Sequence, residues 1–423
     1  MAVMPGQVMD TASFNLTLKE SRIRLWNTSL FGEIQIKDSL KNSGSTAIIV
    51  ELTERWYIFP APVIELADRN FNTWWEEYDR DLSRINFGLN LISYNTTGNY
   101  DKLEGIVQYG FTPKVELLYK RPYINKSRRH GVGAFLSWSS NKKIPYTTEE
   151  NKELFFSADD YQLNRFRAYG QFFRRTGAWQ MQAFELKYNR HSIKDSLRIL
   201  NSEFLGDNRS KQEFFTFSYI FTYNQVDNKA YPLKGFYTDI TARKIGLGIF
   251  NDLNQWSVIA KHNQYISLPW KSYIGLQAVG KFTYGKENPY FNLEGLGYCQ
   301  DFVRGYELYV IEGQHYGFLK ANLKKKLFDF SIGNPLAKGT GFSRVPFSFY
   351  LKTYSDLGYV YDNTGFGNGL ANELLLGGGI GLDVVTFYDW VFRFEYSFNR
   401  LGENGLFLHW VLDLNSYENC NLW

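Results

Sequence analysis

Apolar residues, many of them aromatic, return at every second position through most of this chain. Nowhere do they run uninterrupted for the roughly 18 places that a membrane-crossing helix needs. In one segment Phe215, Phe217, Tyr219, Phe221 and Tyr223 share a face, with Thr216, Ser218 and Thr222 on the other. Phe236, Thr238, Ile240 and Ala242 alternate with Tyr237, Asp239, Thr241 and Arg243. Trp390, Phe392, Phe394, Tyr396 and Phe398 oppose Arg393, Glu395 and Ser397. A period of two is the signature of a strand, whose successive side chains point to opposite faces. Even the most apolar stretch, Leu374 to Phe392, is broken by Asp383 and Asp389. Aromatic residues make up 18% of the chain although hydrophobic residues total only 44%. A wall with lipid outside and a polar lumen inside has this composition, because every second residue is polar and aromatic girdles mark both interfaces. A soluble sandwich or propeller also alternates, but rarely lines one face with so many aromatics. The pattern predicts an all-β chain, a 16-stranded antiparallel transmembrane β-barrel.

Candidate strands run from roughly 56–68 to 405–415. Connections alternate between tight turns, as at Arg175–Gly177 and Thr386–Tyr388, and long loops at 141–161, 189–210, 284–314 and 361–373. Residues 1–55 differ. Phe14, Leu18 and Leu25 have helical spacing with Ser13 or Asn15 as a cap, and Glu33–Lys37 and Ala47–Thr53 read as strands. The division is therefore a helix-strand-strand unit over 1–55 and a barrel over 56–423. Met1 to Asp10 carries no secretion signal, so the expectation is a removed leader or a longer parent protein. The net charge of +4 gives no reason to expect nucleic acid. Cys299 and Cys420 lack metal-ligand spacing, and the five histidines (His130, His191, His262, His315, His409) are scattered. No catalytic constellation, metal or cofactor is expected.

The most informative segment is the connection 284–314, which contains Val303-Arg304-Gly305-Tyr306. The thirteenth strand then carries Tyr354-Ser355-Asp356-Leu357-Gly358. Asp356 shares a face with Ser348, Tyr350, Lys352 and Gly358, and the opposite face holds Phe347, Phe349, Leu351 and Leu357, so Asp356 points inward. An inward carboxylate needs a partner, and an arginine fork is the best available. These two motifs together resemble those of the BamA/TamA superfamily of outer-membrane assembly and translocation barrels. The resemblance implies that loop 6 (about 284–314) folds back into the barrel and that Arg304 reaches Asp356. Many members add a glutamate on the twelfth strand. The matching position here is Asn322, flanked by Lys320, Lys324 and Lys326, which implies a weaker anionic side and a basic stretch of lumen. Arg304 is expected to matter much more than Lys352.

The resemblance extends over nearly the whole chain. Leu25 to Phe31 followed by Glu33–Lys37 resembles the tail of a POTRA domain, the periplasmic module that precedes such barrels. Pro232-Leu233-Lys234-Gly235 resembles the family's Pro-x-(Arg/Lys)-Gly before a strand. Tyr57-Ile58-Phe59-Pro60 with Arg69-Asn70-Phe71 resembles the barrel entrance in members from Bacteroidetes-like bacteria. Gly377-Gly378-Gly379 would let the wall bend or loop 6 come close. The last strand ends in a polar tail that closes on Trp423, where members usually end on an aromatic. The implied function is assembly, insertion or translocation of proteins at a Gram-negative outer membrane, without enzymatic chemistry. It would act through a weak seam between first and last strands, which Pro60 and Pro62 would weaken by lacking amide donors if they lie in the first strand; the alternative is that both lie in the linker before it. Implied partners are outer-membrane lipid, unfolded β-barrel or exported proteins, and accessory periplasmic or lipoprotein subunits. Alternatives are a two-partner-secretion exporter, the barrel of a fused surface enzyme, and a passive porin, against which an inward-folded loop argues.

Overall fold

A computed structural model describes residues 8, 10–26, 30–40, 46–54, 56–68, 70–250, 253–285, 288–298, 301–333, 344–364, 369–386 and 390–411. Arg69, Cys299, Cys420, Trp423 and the turn at 387–389 lie outside the described residues. The chain opens with helix α1 (Thr11–Trp26). Its start is capped by the Asp10 carboxylate, which accepts from Ser13 N–H at 2.8 Å and Ser13 Oγ at 2.8 Å. The cap is thus Asp10, not Ser13 or Asn15. Strands β1 (Phe31–Leu40) and β2 (Thr46–Glu54) follow as an antiparallel pair, with Ile34 buried and Lys37 bonded to Glu51 at 2.6 Å.

The rest is one 16-stranded antiparallel sheet. Its strands are β3 (Ile58–Leu66), β4 (Ile85–Tyr94), β5 (Lys102–Gly110), β6 (Lys114–Arg121) and β7 (His130–Asn141). A separate hairpin, β8 (Lys143–Glu149) and β9 (Lys152–Ser157), interrupts the series. The sheet resumes with β10 (Leu163–Arg175), β11 (Gln180–Ile193), β12 (Lys211–Asn224), β13 (Gly235–Ile245), β14 (Gln255–Leu268) and β15 (Ser272–Gly285). It ends with β16 (His315–Gly333), β17 (Arg344–Tyr361), β18 (Leu374–Thr386), β19 (Val391–Asn399) and β20 (Asn404–Val411). Each strand pairs with its neighbours in sequence, β10 joining β7 across the inserted hairpin. Among the described residues no helix is long and apolar enough to cross a membrane.

Alternation sets the two faces. Phe217, Ile240, Phe394, Tyr396 and Phe398 are exposed on one side, while Thr216, Ser218, Thr241, Glu395 and Ser397 are buried on the other. Every second residue of these strands therefore turns to a polar interior. On β16 a bulge between Lys326 and Phe328 inserts one residue and reverses the alternation. Beyond it Phe328 and Phe330 stack on Phe347 and Phe349 of β17, on the outward face.

Among the described residues the sheet's outermost strands, β3 and β20, are not paired with each other. The hydrogen bonds around β3 fix which groups face its open edge. Tyr94 N–H donates to the Tyr57 carbonyl, and Ala67 N–H donates to the Arg84 carbonyl. Odd-numbered residues of β3 thus bond β4, and Ile58, Pro60, Pro62, Ile64 and Leu66 present their amide positions outward. Both prolines lie inside β3 and remove donors from the open edge.

The connections divide between two rims. The segment 286–314 shares a rim with 67–84, 142–162, 194–210, 362–373 and 400–403. On this loop rim β8–β9 and the helix α2 (Asp195–Leu200) pack around Ile144, Leu163, Leu197, Phe204, Leu205 and Tyr290. The connection 225–234 belongs to the opposite rim.

Candidate functional site: an ion network inside the sheet's curve

The described residues of the long connection between β15 and β16 fold back against the wall. Val303 and Tyr306 are 1% and 2% exposed, and they pack with Leu296 and Ile311 of the same loop against Val279, Phe318, Val360 and Leu375 of the wall. A two-residue bridge, Leu296 with Ile311, folds the loop into its own hairpin, with N···O distances of 2.9 and 2.8 Å. Burying these side chains stabilises the inward loop, at about 1.5–3 kcal/mol for each one fully buried.

The wall is shaped to admit the loop. A Cβ on Gly358 would stand 2.4 Å from Val303 Cγ2, and one on Gly377 would stand 1.8 Å from the Arg304 carbonyl oxygen. Both contacts lie well below any tolerated approach, so these positions require glycine. Gly305 has φ +92° and turns the chain at the tip. Its N–H donates to Glu307 at 2.6 Å, and its carbonyl accepts from Asn399 Nδ2 at 2.8 Å.

Arg304 bonds through its backbone N–H and every nitrogen of its guanidinium. Its Nε donates to Asp356 Oδ2 at 2.8 Å, its Nη2 to Asp356 Oδ1 at 2.5 Å, and its backbone N–H to Oδ2 at 3.1 Å. Its Nη1 donates to Asn322 Oδ1 at 2.6 Å and to Glu395 Oε1 at 3.2 Å. The guanidinium also lies over the Tyr354 ring, 3.9 Å from its centre. Burial alone would lower the arginine's pKa. The hydrogen bond and charge of Asp356, and then of Glu395, outweigh that and raise it above its ordinary value.

The network continues away from the loop. Lys352 Nζ bonds Glu395 at 2.9 Å and also Asp383, which lies 3.7 Å from Lys324 Nζ. Arg304, Lys352 and Lys324 thus oppose Asp356, Glu395 and Asp383, and these buried charges compensate one another. From the opposite rim the connection 225–234 reaches in. Tyr231, 4% exposed, donates its hydroxyl to Asp383 Oδ2 at 2.8 Å, and Lys324 Nζ sits 4.0 Å from its ring centre. Burial first, then the charge and hydrogen bond of Asp383, push the Tyr231 phenol well above its ordinary pKa, so it remains a donor. The turn is rigidly built. The Asp227 carboxylate accepts from Leu233 and Lys234 N–H at 3.0 and 3.1 Å, and Asn228 Oδ1 accepts from Ala230 N–H at 2.8 Å.

The structure therefore brings together Val303, Arg304, Gly305, Tyr306, Asn322, Asp356 and Gly358. Two expectations need correction. The anionic side is not weak, because Glu395 on β19 supplies a second carboxylate where Asn322 offers only an amide oxygen. Lys324 and Lys326 are not a free basic stretch, since Asp383 and Asp329 lie against them, at 3.7 and 2.8 Å. Lys352 is 3% exposed between two carboxylates. Alternation alone shows that Glu395, Asp383 and Lys352 point inward. Their meeting depends on register and curvature, which no local pattern carries. Among the described residues no cluster of His, Cys, Asp or Glu is arranged to hold a metal ion.

Residues 95–398 match the Omp85 superfamily domain. No curated protein matches the sequence. Among solved structures, BamA from Haemophilus ducreyi lacking POTRA domains 1–3 aligns over 97% of this chain and 79% of its own, with TM-score 0.55 and 16% identity. CdiB from Escherichia coli aligns over 96% and 71%, with TM-score 0.56 and 13% identity. CdiB from Acinetobacter baumannii aligns over 96% and 69%, with TM-score 0.51 and 12% identity. At these identities the likeness is one of fold.

Proposed function

The chain belongs to the Omp85 superfamily, and from that premise we propose that it inserts or translocates other proteins through a lateral seam between β3 and β20. Membership makes it an outer-membrane protein of the assembly and transport kind. The finer reading is a barrel that closes weakly along these two strands and opens sideways to admit an incoming strand. The observation that carries it is that, among the described residues, no strand pairs with the outer edge of β3 or of β20, with Pro60 and Pro62 removing donors from the β3 side. An edge with few donors closes weakly and exchanges partners readily.

In this reading Arg304 is a latch. It holds loop 6 inside the lumen against Asp356, Glu395 and Asn322, and braces the wall while the seam moves. The loop rim then faces the cell exterior and the rim of 225–234 faces the periplasm. The unit of α1, β1 and β2 is the tail of a POTRA domain that hands over unfolded barrel or exported proteins, with accessory periplasmic or lipoprotein subunits acting on the same side.

The test is reconstitution in liposomes, following the folding of a small unfolded barrel protein diluted from urea. The expected result is faster folding with this protein than in empty vesicles, and loss of that gain in Arg304→Ala. No acceleration, together with large steady single-channel steps in a planar bilayer, would replace this reading by a passive pore.

A further inference from the structure

The segment after β3 contains a contact that helix geometry does not call for. Asn72 stands at the start of the helical turn Thr73–Glu77, where an asparagine commonly caps the turn with its own oxygen. It makes no such bond. Its side chain is instead turned across to β20. Nδ2 donates to the Leu406 carbonyl at 2.6 Å, and Oδ1 accepts from Leu408 N–H at 3.3 Å. Asn72 is 7% exposed.

These two backbone groups have a particular place. Asn399 N–H donates to the Glu403 carbonyl, so odd-numbered residues at the start of β20 face β19. Leu406 and Leu408 then direct their backbone groups to the open edge, where an added strand would bond. A primary amide presents N–H donors and a carbonyl acceptor in a single plane, much as a peptide group presents its own. It is the side chain that can occupy both sites.

The segment carrying Asn72 is held firmly. Asn70 Nδ2 donates to the Glu307 carbonyl of loop 6 at 2.7 Å, while its Oδ1 accepts from Thr73 N–H at 2.8 Å. Arg84 and Asp68 form an ion pair at its base, each side chain 2% exposed. Trp74 Nε1 donates to the Asp81 carbonyl at 3.0 Å.

We propose that Asn72 is a removable cap on the outer edge of β20, holding the backbone sites that an extended polypeptide strand must take to add there. This rests on the seam reading above. The two edges are then guarded differently. On β3 the prolines remove donors permanently, whereas on β20 the donor and acceptor are present and covered. An incoming strand gains the edge by competing with one amide, and the anchored segment restores the cap when that strand leaves.

The test combines two readouts on the full chain in lipid nanodiscs and liposomes, with Asn72→Ala and, as a milder change at the start of the turn, Asn72→Ser. Amide hydrogen exchange over 404–411 is expected to quicken at Leu408 by about fivefold, the ratio that one lost net hydrogen bond supports, with β7 unchanged. Insertion of the unfolded barrel protein is expected to speed up by a few-fold. Unchanged exchange in a variant whose β7 exchanges as in the parent would overturn the cap. Faster exchange with unchanged insertion would overturn the competition, leaving Asn72 as a staple. If the parent protein inserts nothing, the seam reading falls, and exchange at Leu408 still decides whether the amide covers the edge.

Discussion

At the scale of single residues the charge network sets the predictions. Arg304→Ala leaves the buried carboxylates of Asp356 and Glu395 without their shared arginine, and loss of one member of a buried ion network costs about 3–5 kcal/mol. The thermal midpoint of the folded barrel, followed by heat-modifiability on gels, should fall accordingly. Lys352→Met should fall by a similar amount, because Lys352 separates Asp383 from Glu395. A much smaller loss in Lys352→Met than in Arg304→Ala would mean that the network acts only through loop 6. Gly377→Ala sets a methyl against the Arg304 carbonyl and should expel the tip of the loop. The expected signs are faster amide exchange over 302–307 and a destabilisation of about 1–3 kcal/mol or more from overpacking. The pairing of Arg304 with Asp356 was implied by the family resemblance that two short motifs carry, and the alternation added that Asp356 points inward. The partnership of Arg304 with Glu395 was not legible, although Glu395 reads as inward-facing from its neighbours. Distance between inward groups depends on how far each strand is staggered, and stagger leaves no mark on the local pattern.

Strands were legible wherever one face meets water and the other does not, since the two-residue period is then enforced throughout. The inserted hairpin β8–β9 was hidden, because Ile144, Tyr146 and Phe156 pack with α2, its neighbours and the loop-rim ends of β10 and β11 in a local cluster that sets no two-residue period, and Pro145 suggests a loop. The bulge on β16 hid that strand's true end in the same way, since Phe328 and Phe330 fall out of step with Leu319 and Leu323. The connection 225–234 was legible only as a turn with a family-like Pro-Leu-Lys-Gly. Its entry into the lumen depends on Tyr231 finding Asp383. Tyr231→Phe removes one hydrogen bond to a charged group and should cost about 1.5–3 kcal/mol. At the seam, restoring donors by Pro60→Ala with Pro62→Ala should let β3 bond a neighbour along its full edge. The expected outcome is a more heat-resistant barrel that inserts clients more slowly. A faster double variant would remove the prolines from any role in weak closure.

The molecule as a whole has a wall of strands with segments of its own chain reaching inside from both rims. Loop 6 enters from one rim and the turn at Tyr231 from the other, and they meet on a single run of charges from Arg304 to Lys324. The expected single-channel conductance of the intact protein is accordingly small and unsteady. Arg304→Cys with Asp356→Cys, made after replacing Cys299 and Cys420, should crosslink in the folded protein and fix the loop inside. A folded barrel that does not crosslink would place loop 6 elsewhere in the membrane-embedded state. The double stopper also bears on the cell that carries this protein. An envelope that excludes large hydrophilic antibiotics is only as tight as its leakiest barrel, and on the proposed reading a barrel entered from both mouths by its own chain can be abundant without breaching that barrier. Cells whose copies carry Tyr231→Ala together with Arg304→Ala should therefore become sensitive to such antibiotics in proportion to expression, even where their outer-membrane composition is unchanged.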